Sequence, residues 1–543
     1  MFVIHQSPDK VRNALLKLRT RFEGLVPCGP VRLEELGDKY LGWFSCRPTD
    51  NVHMYTDGFL VGTLSFDEAA SSDLQEHSNR LPESPDPLLG AIKIYKNGVI
   101  EPIGIANAYY STSAVSDMQL LIADLEGFLP SPMEFAVLTR VGYFPGNLTL
   151  FDEVKRIPFL AQYDLSRGSA QAPRLLQVHE PDDKAMIRRL VEIVPQTSWP
   201  QFLALSGGID SRFVLGVLLS AGIRPTLLHG GRTEDDIVRS IAQTLDLRLF
   251  WSGNAETVPP ISLSHPVPYT AMTDAQIVFR SGKFSMWRRC FPRDSILHVG
   301  LFADSSIKNA FKTAWKVPDP RSKLLDRLIH YALLQANVSK AGHLKSFENK
   351  CDVTEYLAEH LAYQEHYLEV RGSKSLANWF YYINRGIRWS SASLCEASYF
   401  TRPLFILSDL EATLYGLFAD SWSNYAHSRA RTLNRELLPA VDAPYANGLR
   451  SLPDARLLSV LERVGYEYFN RALAYVRDQR EVRVDTSLES NVEAIPLARG
   501  DLLAPYLTKS PEEVFLDRAV PDRAKRAIIT LSHVLDYLQS TVL

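Results

Sequence analysis

The sequence predicts a mixed α/β protein in two parts. A β-rich N-terminal sandwich covers residues 1–170, and an α/β domain with a parallel sheet and a helical extension covers 178–543. Short runs of β-forming residues fill the first part. After residue 183, strand patterns alternate with helical patterns of about a dozen residues, which is typical of βαβ units. From about residue 321 the pattern is mainly helical.

The first part consists mostly of strand patterns. Runs rich in β-formers, most of them next to Gly, Asp or Asn, predict strands over 40–45, 58–64, 90–95 and 160–165. Helical spacing that ends on a glycine predicts a helix over 114–127. The polar, Pro- and Ser-rich stretches 66–88 and 166–182 predict a surface loop and a linker.

The second part begins with alternating elements. The pattern predicts helices over 183–194, 211–221 and 234–246. It predicts strands between and after them, over 202–205, 225–229 and 247–251. A strand-like run, Ile-Leu-His-Val, follows at 296–299. The helical extension is predicted over 322–336, 353–370, 374–394, 408–418 and 456–476.

Composition excludes several classes of protein. The 543 residues carry 59 basic and 62 acidic side chains, so the near-neutral charge gives no reason to expect nucleic acid as a partner. No apolar run is long enough to cross a membrane, and the first residues lack the pattern of a signal peptide. The five cysteines are scattered without a CxxC pair, which argues against a disulfide scaffold or a zinc site. We therefore expect a cytoplasmic protein with no membrane partner.

The segment with the clearest chemistry is 206–211, Ser-Gly-Gly-Ile-Asp-Ser, between an apolar strand and an apolar-periodic helix. Its two glycines allow a tight turn and a close approach of backbone N–H groups to a ligand. Ser206, Ser211 and the first N–H groups of the helix would cradle an anion at the positive end of the helix dipole. Asp210, at the mouth of that cradle, is suited to hold a divalent cation against phosphate oxygens.

This segment resembles the pyrophosphate-binding loop of the PP-loop ATP pyrophosphatases. The chain is similar to their asparagine synthetase-like branch, which adenylates a carboxylate with ATP. The resemblance implies a PP-loop fold for the second part, with ATP and Mg²⁺ as cofactors. It also implies that the whole loop binds the nucleotide, through Ser206, Gly207, Gly208, Ile209, Asp210 and Ser211.

Two further segments resemble the same family. The turn at 227–242 is similar to the family's second strand and following helix, where Thr233 or Glu234 would cap the helix. The run Gly300-Leu-Phe-Ala-Asp304-Ser is similar to its acidic loop, which implies that Asp304 shares the magnesium ion with Asp210. Weaker likenesses at 396–409 and 434–441 could also arise from helix packing alone.

The N-terminal part resembles the family's glutamine-hydrolysing domain, an Ntn-type sandwich, through residues 141–158. That domain uses a cysteine at position 2, whereas this chain has Phe2. The resemblance therefore implies a degenerate domain without glutaminase activity. The chain is similar in this respect to the β-lactam synthetases and the lasso-peptide cyclases, which use an amine of the substrate.

The synthetase part also departs from the family pattern. Leu301 stands where relatives carry a polar residue, and the family's late lysine, which stabilises developing charge, has no evident match. Lys308 or Arg388 could replace that lysine, and Glu396 could act as a base toward an amine. Solvated surface charge is the competing interpretation for all three.

The sequence therefore predicts an ATP-dependent ligase that joins a carboxylate to an amine, as in specialised-metabolite or lasso-peptide macrolactam biosynthesis. Its substrate would be a small molecule or a peptide, and a pathway partner protein is possible. One alternative is an amidotransferase that uses free ammonia, for instance in cell-surface polysaccharide modification. A second alternative is a pseudoenzyme that binds a nucleotide or a partner without turnover.

Overall fold

A computed structural model describes the chain in segments. They are residues 1–47, 52–61, 75–76, 91–103, 106–171, 180–230, 234–251, 261–276, 287–292, 294–303, 307, 325, 329, 353–364, 379–390, 392, 395–417, 428–441, 497–498, 500–517, 520 and 522–540. The helix predicted over 456–476 lies outside these residues, as does that over 322–336 apart from residues 325 and 329. We call residues 1–171 the N-terminal region and residues 180–540 the C-terminal region.

The strands are short, and the longest have five residues. In chain order they are β1 (Phe2–His5), β2 (Arg32–Leu36), β3 (Lys39–Trp43), β4 (Val52–Tyr55), β5 (Gly58–Val61), β6 (Gln75–Glu76), β7 (Ala91–Tyr95), β8 (Val99–Ile103), β9 (Tyr109–Tyr110), β10 (Val115–Ser116), β11 (Lys155–Arg156), β12 (Tyr163–Asp164), β13 (Ser169–Ala170), β14 (Gln201–Ala204), β15 (Thr226–His229), β16 (Leu249–Trp251), β17 (Ile296–Val299) and β18 (Arg402–Leu404).

The α-helices lie mainly in the C-terminal region. They are α1 (Pro8–Phe22), α2 (Gln119–Glu126), α3 (Pro132–Val141), α4 (Asp183–Glu192), α5 (Ile209–Ser220), α6 (Asp235–Thr244), α7 (Ile261–Ser264), α8 (Pro266–Met272), α9 (Val353–Leu361), α10 (Leu410–Leu417), α11 (Ser428–Leu437), α12 (Pro511–Leu516) and α13 (Asp522–Gln539). A π-helix spans Tyr382–Ser390, and 3₁₀ turns span Ala397–Tyr399, Ile406–Ser408 and Gly500–Leu503. Among the described residues, no helix combines the length and apolarity that a bilayer span requires.

Two antiparallel sheets form the N-terminal region. One has the order β11-β9-β10-β1-β3-β2 and the other β13-β12-β8-β7-β5-β4-β6, in which only β4 and β6 pair in parallel. Successive side chains of β1 point to opposite faces of the first sheet, and each face packs in a different hydrophobic core. Phe2 and Ile4 join a core that both sheets share, whereas Val3 joins Leu15 and Leu18 of α1 in a second core. The predicted β-rich sandwich is therefore present.

The third sheet is parallel and lies in the C-terminal region, with the order β16-β15-β14-β17-β18. Its central strand β14 is apolar and largely buried, as expected for a parallel sheet covered by helices. The predicted strands 202–205, 225–229 and 247–251 and the helices between them are confirmed to within two residues at each end. The chain is thus mixed α/β.

Two predicted elements of the N-terminal region are partly wrong. The predicted helix 114–127 begins only at Gln119, because Val115 and Ser116 pair with β1 and the Ser116 hydroxyl donates to the Phe2 carbonyl at 2.6 Å. The predicted strand 160–165 shrinks to β12, because Leu160 has a left-handed φ of 62°. Tertiary pairing and a turn conformation override local propensity at these two sites.

Asp274 connects the two regions. Its buried carboxylate accepts the backbone N–H groups of Gln119 and Leu120, each at 3.0 Å, at the start of α2. Met118, the N-cap residue of α2, provides no side-chain cap, so a residue of the C-terminal region performs that role. Burial raises the pKa of Asp274 to about 7, although these N–H groups oppose the rise. One hydrophobic core also continues from α1 and α2 to the parallel sheet.

Glu134 forms a second connection. Its side chain on α3 is fully buried, and the Tyr356 hydroxyl of α9 donates to it at 2.6 Å. Lys155 lies 3.5 Å from the same carboxylate. Burial nevertheless raises the pKa of Glu134 to about 7 from its usual 4.5.

This shift predicts that stability falls as the pH rises. A carboxyl whose pKa is higher in the folded chain binds its proton more tightly on folding, so its contribution is complete below about pH 4.5 and is lost as the pH passes 7. Glu134→Gln cannot ionise, and we expect a smaller decrease in the free energy of unfolding between pH 4.5 and 8, measured by urea denaturation. The control is Glu436→Gln on an exposed part of α11. An unchanged pH profile for Glu134→Gln would contradict the prediction.

Candidate functional site

The loop between β14 and α5 lies at the carboxyl end of the central strand of the parallel sheet. From β14 the chain continues through α5 to β15 on one side, and β17 pairs on the other side. This change of direction makes the end of β14 a topological switch point, where open α/β sheets bind ligands. The predicted loop 206–211 is therefore in the position that the fold favours for a site.

Two serines hold this loop closed. The Ser211 hydroxyl donates to the Ser206 carbonyl at 3.1 Å, and the Ser206 N–H donates to the Ser211 hydroxyl oxygen at 3.1 Å. The Gly208 N–H donates to the Ser206 hydroxyl oxygen at 3.2 Å. Ser211 is buried and Ser206 is exposed, so one serine fixes the loop while the other faces solvent at its mouth.

The helix α5 begins at Ile209, and its N-cap residue, Gly208, provides no side-chain cap. Its first turn therefore presents backbone N–H groups and the positive end of the helix dipole to the loop. Asp210 lies in this first turn and is half-buried. Such an arrangement can hold an anion and can place a carboxylate beside it.

A carboxylate oxygen already binds this loop. Glu234 accepts the Gly207 N–H at 2.7 Å, a short distance typical of charge-assisted hydrogen bonds. Glu234 occupies the N-cap position of α6, where the sequence predicted that it or Thr233 would cap, but its side chain makes no cap bond. Thr233 lies outside the described residues. The loop thus accommodates an anionic oxygen at Gly207.

Two buried side chains support the loop from below. Arg212 is 2% exposed and donates to the Gly207 carbonyl at 3.1 Å, which places a cation under the loop. His229, at the end of β15, contacts the Leu205 carbonyl at 2.9 Å and the Asp235 carboxylate at 3.0 Å. Sequence reasoning gave no role to His229, and its place as the last residue of an apolar strand was the available signal.

The end of β17 presses against the loop. A Cβ at Gly300 would lie 2.6 Å from the Ser211 nitrogen and 2.8 Å from the Asp210 carbonyl carbon, so only glycine fits this position. Phe302 follows with a φ of 74°, a rare conformation for an aromatic residue that costs about 1–3 kcal/mol. Its ring packs on Tyr382 and Phe405, which hold it there. Backbone strain of this kind is often found at functional sites.

The sequence predicted four further site residues. Asp304 and Lys308 lie outside the described residues. Arg388, in the π-helix, is buried and donates to the Asn107 side-chain oxygen of the N-terminal region at 2.9 Å. Glu396 is also buried, so solvated surface charge is wrong for both Arg388 and Glu396. Arg388 thus belongs to the contact between the two regions.

No group of three or more His, Cys, Asp and Glu side chains in the described segments could hold a metal ion. A Mg²⁺ ion is commonly bound by one or two carboxylates together with waters and substrate phosphate oxygens, so this finding does not bear on Asp210 and Asp304 as a pair.

Glu234 provides a test of anion binding at this loop. Its negative charge and its bond to Gly207 should compete with pyrophosphate. Glu234→Gln keeps a hydrogen-bond acceptor and removes the charge, so we expect pyrophosphate to bind about ten-fold more tightly in isothermal titration. Asp236→Asn, an exposed residue two positions further in α6, should leave the affinity unchanged. Weaker binding to the Glu234 variant would show that the carboxylate supports the anion instead.

No protein-family model matches this chain, and no curated protein matches it either. The function of the chain must therefore be inferred from the geometry of the loop and of the side chains around it.

Proposed function

We propose that this protein is an ATP-dependent amide ligase that adenylates a carboxylate and joins it to an amine without hydrolysing glutamine. The loop 206–211 carries this proposal, because its uncapped helix start and its Gly207 N–H suit the pyrophosphate part of ATP. The proposal assigns the parallel sheet to the PP-loop fold of the asparagine synthetase-like family. It assigns the N-terminal sandwich to the Ntn type.

The proposed reaction has two steps. An oxygen of the substrate carboxylate attacks the α-phosphorus of ATP, so that an O–P bond forms and the bond to the departing pyrophosphate breaks. An amine nitrogen then attacks the acyl carbon, forms a C–N bond, releases AMP and gives up a proton. Adenylation supplies a far better leaving group than a carboxylate oxygen alone.

The proposal gives a role to the residues of the loop and to each of the other predicted site residues. The N–H groups of the loop bind pyrophosphate oxygens, and Arg212 adds positive charge below them. Asp210 would hold Mg²⁺, which when bound neutralises phosphate charge. Glu396 is the proposed base for the amine proton, and Arg388 is proposed to stabilise developing charge. Asp304 and Lys308 retain the roles that the resemblance implies.

The absence of glutaminase chemistry has support at position 2. Phe2 is fully buried in β1, and its N–H donates to the Asp117 carboxylate at 2.9 Å. A buried phenyl ring cannot act as a nucleophile. We therefore propose an amine of the substrate itself as the nucleophile, in a peptide or a small amino acid derivative, as in macrolactam formation.

Exchange of labelled pyrophosphate into ATP tests the proposal. The purified protein, with Mg-ATP and a panel of amino acids and peptide carboxylates, is expected to exchange label with at least one of them. The reverse of the first step requires both an acyl-adenylate and a bound pyrophosphate, so exchange reports that step alone. Absence of exchange with the whole panel, from protein that binds ATP, would favour a pseudoenzyme.

The pseudoenzyme has one observation in its favour, which is the Glu234 carboxylate on Gly207. In this alternative Glu234 permanently occupies the place of a phosphate oxygen. Exchange by the wild-type protein would reject this alternative, whereas exchange that appears only in Glu234→Gln would support it.

A further inference from the structure

Arg156 is a buried cation at the boundary between the two regions. It lies on β11, the edge strand of the first sheet, and only 1% of its surface is exposed. Its Nη2 donates to the Tyr109 hydroxyl at 3.2 Å, and its guanidinium lies 5.2 Å from the centre of the Tyr109 ring. Its Nε and Nη1 are buried and have no hydrogen-bond acceptor among the described residues.

This arrangement is costly without a further partner. Nε and Nη1 carry three of the five N–H donors of a guanidinium, which remains charged at any pH relevant to proteins. A buried charge that lacks both a counter-ion and acceptors costs several kcal/mol. A polar group of this kind in a folded protein needs an explanation, and an anionic ligand provides one.

The surroundings of Arg156 come from both regions. The Arg156 N–H donates to the Asn147 carbonyl at 2.8 Å, and the neighbouring Gly146 approaches Tyr363, because a Cβ there would lie 3.1 Å from the Tyr363 hydroxyl. Burial raises the pKa of Tyr363, and the charges of Arg388 and Arg156 oppose that rise, so both cations act on the same hydroxyl. Tyr363 is half-buried and therefore links this cluster to solvent.

We propose that Arg156 is the centre of a second anion-binding site, between the two regions, that binds a small carboxylate. The Nε and Nη1 groups of Arg156 donate to the carboxylate oxygens, and the Tyr363 hydroxyl, which lies close to Gly146, is a further donor. This site is separate from the loop 206–211, and its existence does not depend on ATP chemistry.

The charge around the site favours a carboxylate over a phosphate. Burial raises the pKa of the Cys395 thiol to about 12, and the negative charges of Asp274 and Glu396 add to that rise, so acidic groups lie near the cluster. Arg47 and Arg156 act on the same thiol in the opposite direction. One guanidinium matches a single negative charge better than the two charges of a phosphate, and the acids that act on Cys395 disfavour a second negative charge.

The experiment measures acetate binding to the full chain without ATP. At constant ionic strength, set with chloride, sodium acetate should raise the melting temperature in a saturable way. Arg156→Met removes the charge at similar volume and should weaken acetate binding about ten-fold or more. Arg167→Met, whose side chain is 76% exposed, should bind acetate as the wild type does.

Four results would overturn the proposal. The first two are no saturable effect of acetate on the melting temperature of the wild type, and equal acetate binding by the wild type and Arg156→Met. The third is loss of acetate binding in Ser211→Ala but not in Arg156→Met. The fourth is Arg156-dependent binding of inorganic phosphate in place of acetate. If Arg156→Met does not fold, Arg156→Lys replaces it. The lysine keeps the charge but lacks the planar fork, so weaker acetate binding is again expected. Absence of pyrophosphate exchange would count against the proposed function, but it would not change the conclusion from acetate binding.

Discussion

Asp210→Asn is expected to abolish pyrophosphate exchange while leaving the fold intact. The substitution keeps the shape of the side chain and removes the one carboxylate in the first turn of α5. Substitution of groups that only orient a metal ligand commonly costs 10–100-fold, so loss of a direct Mg²⁺ ligand should reduce exchange by at least about 100-fold. The rate of label transfer from pyrophosphate to ATP, followed over a range of Mg²⁺ concentrations, measures this loss.

The control for Asp210→Asn is Asp236→Asn. Asp236 also lies in the first turn of a helix, α6, and is exposed. Each substitution removes a favourable interaction with a helix dipole, worth about 0.3–1 kcal/mol, so similar small decreases in stability are expected. Only Asp210→Asn should lose exchange. Exchange at the wild-type rate in Asp210→Asn would exclude the metal role of Asp210.

The parallel sheet was predictable because its signals are local. The apolar run 202–205 is followed by Ser-Gly-Gly, and a helical pattern of ordinary length comes next, so the local pattern places β14, α5 and β15. Local signals of the same kind also mark the α1 helix. Ser7 caps it, Pro8 begins it, and buried residues recur at helical spacing in Val11, Leu15 and Leu18.

The contacts around the site could not be read from the sequence in the same way. Glu234 lies 27 positions after Gly207, and Asn107 is 281 positions from Arg388. Local spacing carries no information on such distant pairs, which depend on how the sheets and helices pack. Helix capping by Asp274 from the other region is a further example, since residues next to α2 normally supply the cap.

The burial of three arginines is the largest difference between the structure and what the sequence indicates. Arg156, Arg212 and Arg388 are all at most 4% exposed, although arginine in a sequence usually indicates surface. Arg212 donates to the loop, and Arg388 donates to the other region. The sequence did contain one signal for Arg212, because it directly follows the Ser-Gly-Gly-Ile-Asp-Ser segment.

Gly300→Ala is expected to disable the loop through a single methyl group. Its Cβ would lie 2.6 Å from the Ser211 nitrogen and 2.8 Å from the Asp210 carbonyl carbon, and backbone atoms cannot rotate away as a side chain can. The start of α5 must therefore move away from β17. Overpacking of this kind costs about 1–3 kcal/mol, and a displacement near 1 Å at a catalytic site costs about 100-fold in rate. Both urea denaturation and pyrophosphate exchange should show the change.

Gly216→Ala separates loss of stability from loss of loop geometry. A Cβ at Gly216 would lie 2.6 Å from Leu437 Cβ, a closest contact of the same length, at the α5–α11 contact instead of at the loop. This variant should lose similar stability and keep exchange in its folded fraction. Gly500→Ala, whose nearest contact would be 3.9 Å, should change neither quantity. If the two variants exchange pyrophosphate at equal rates, the close approach of β17 to the loop serves packing alone. A site that depends on the position of the loop would lose exchange only in Gly300→Ala.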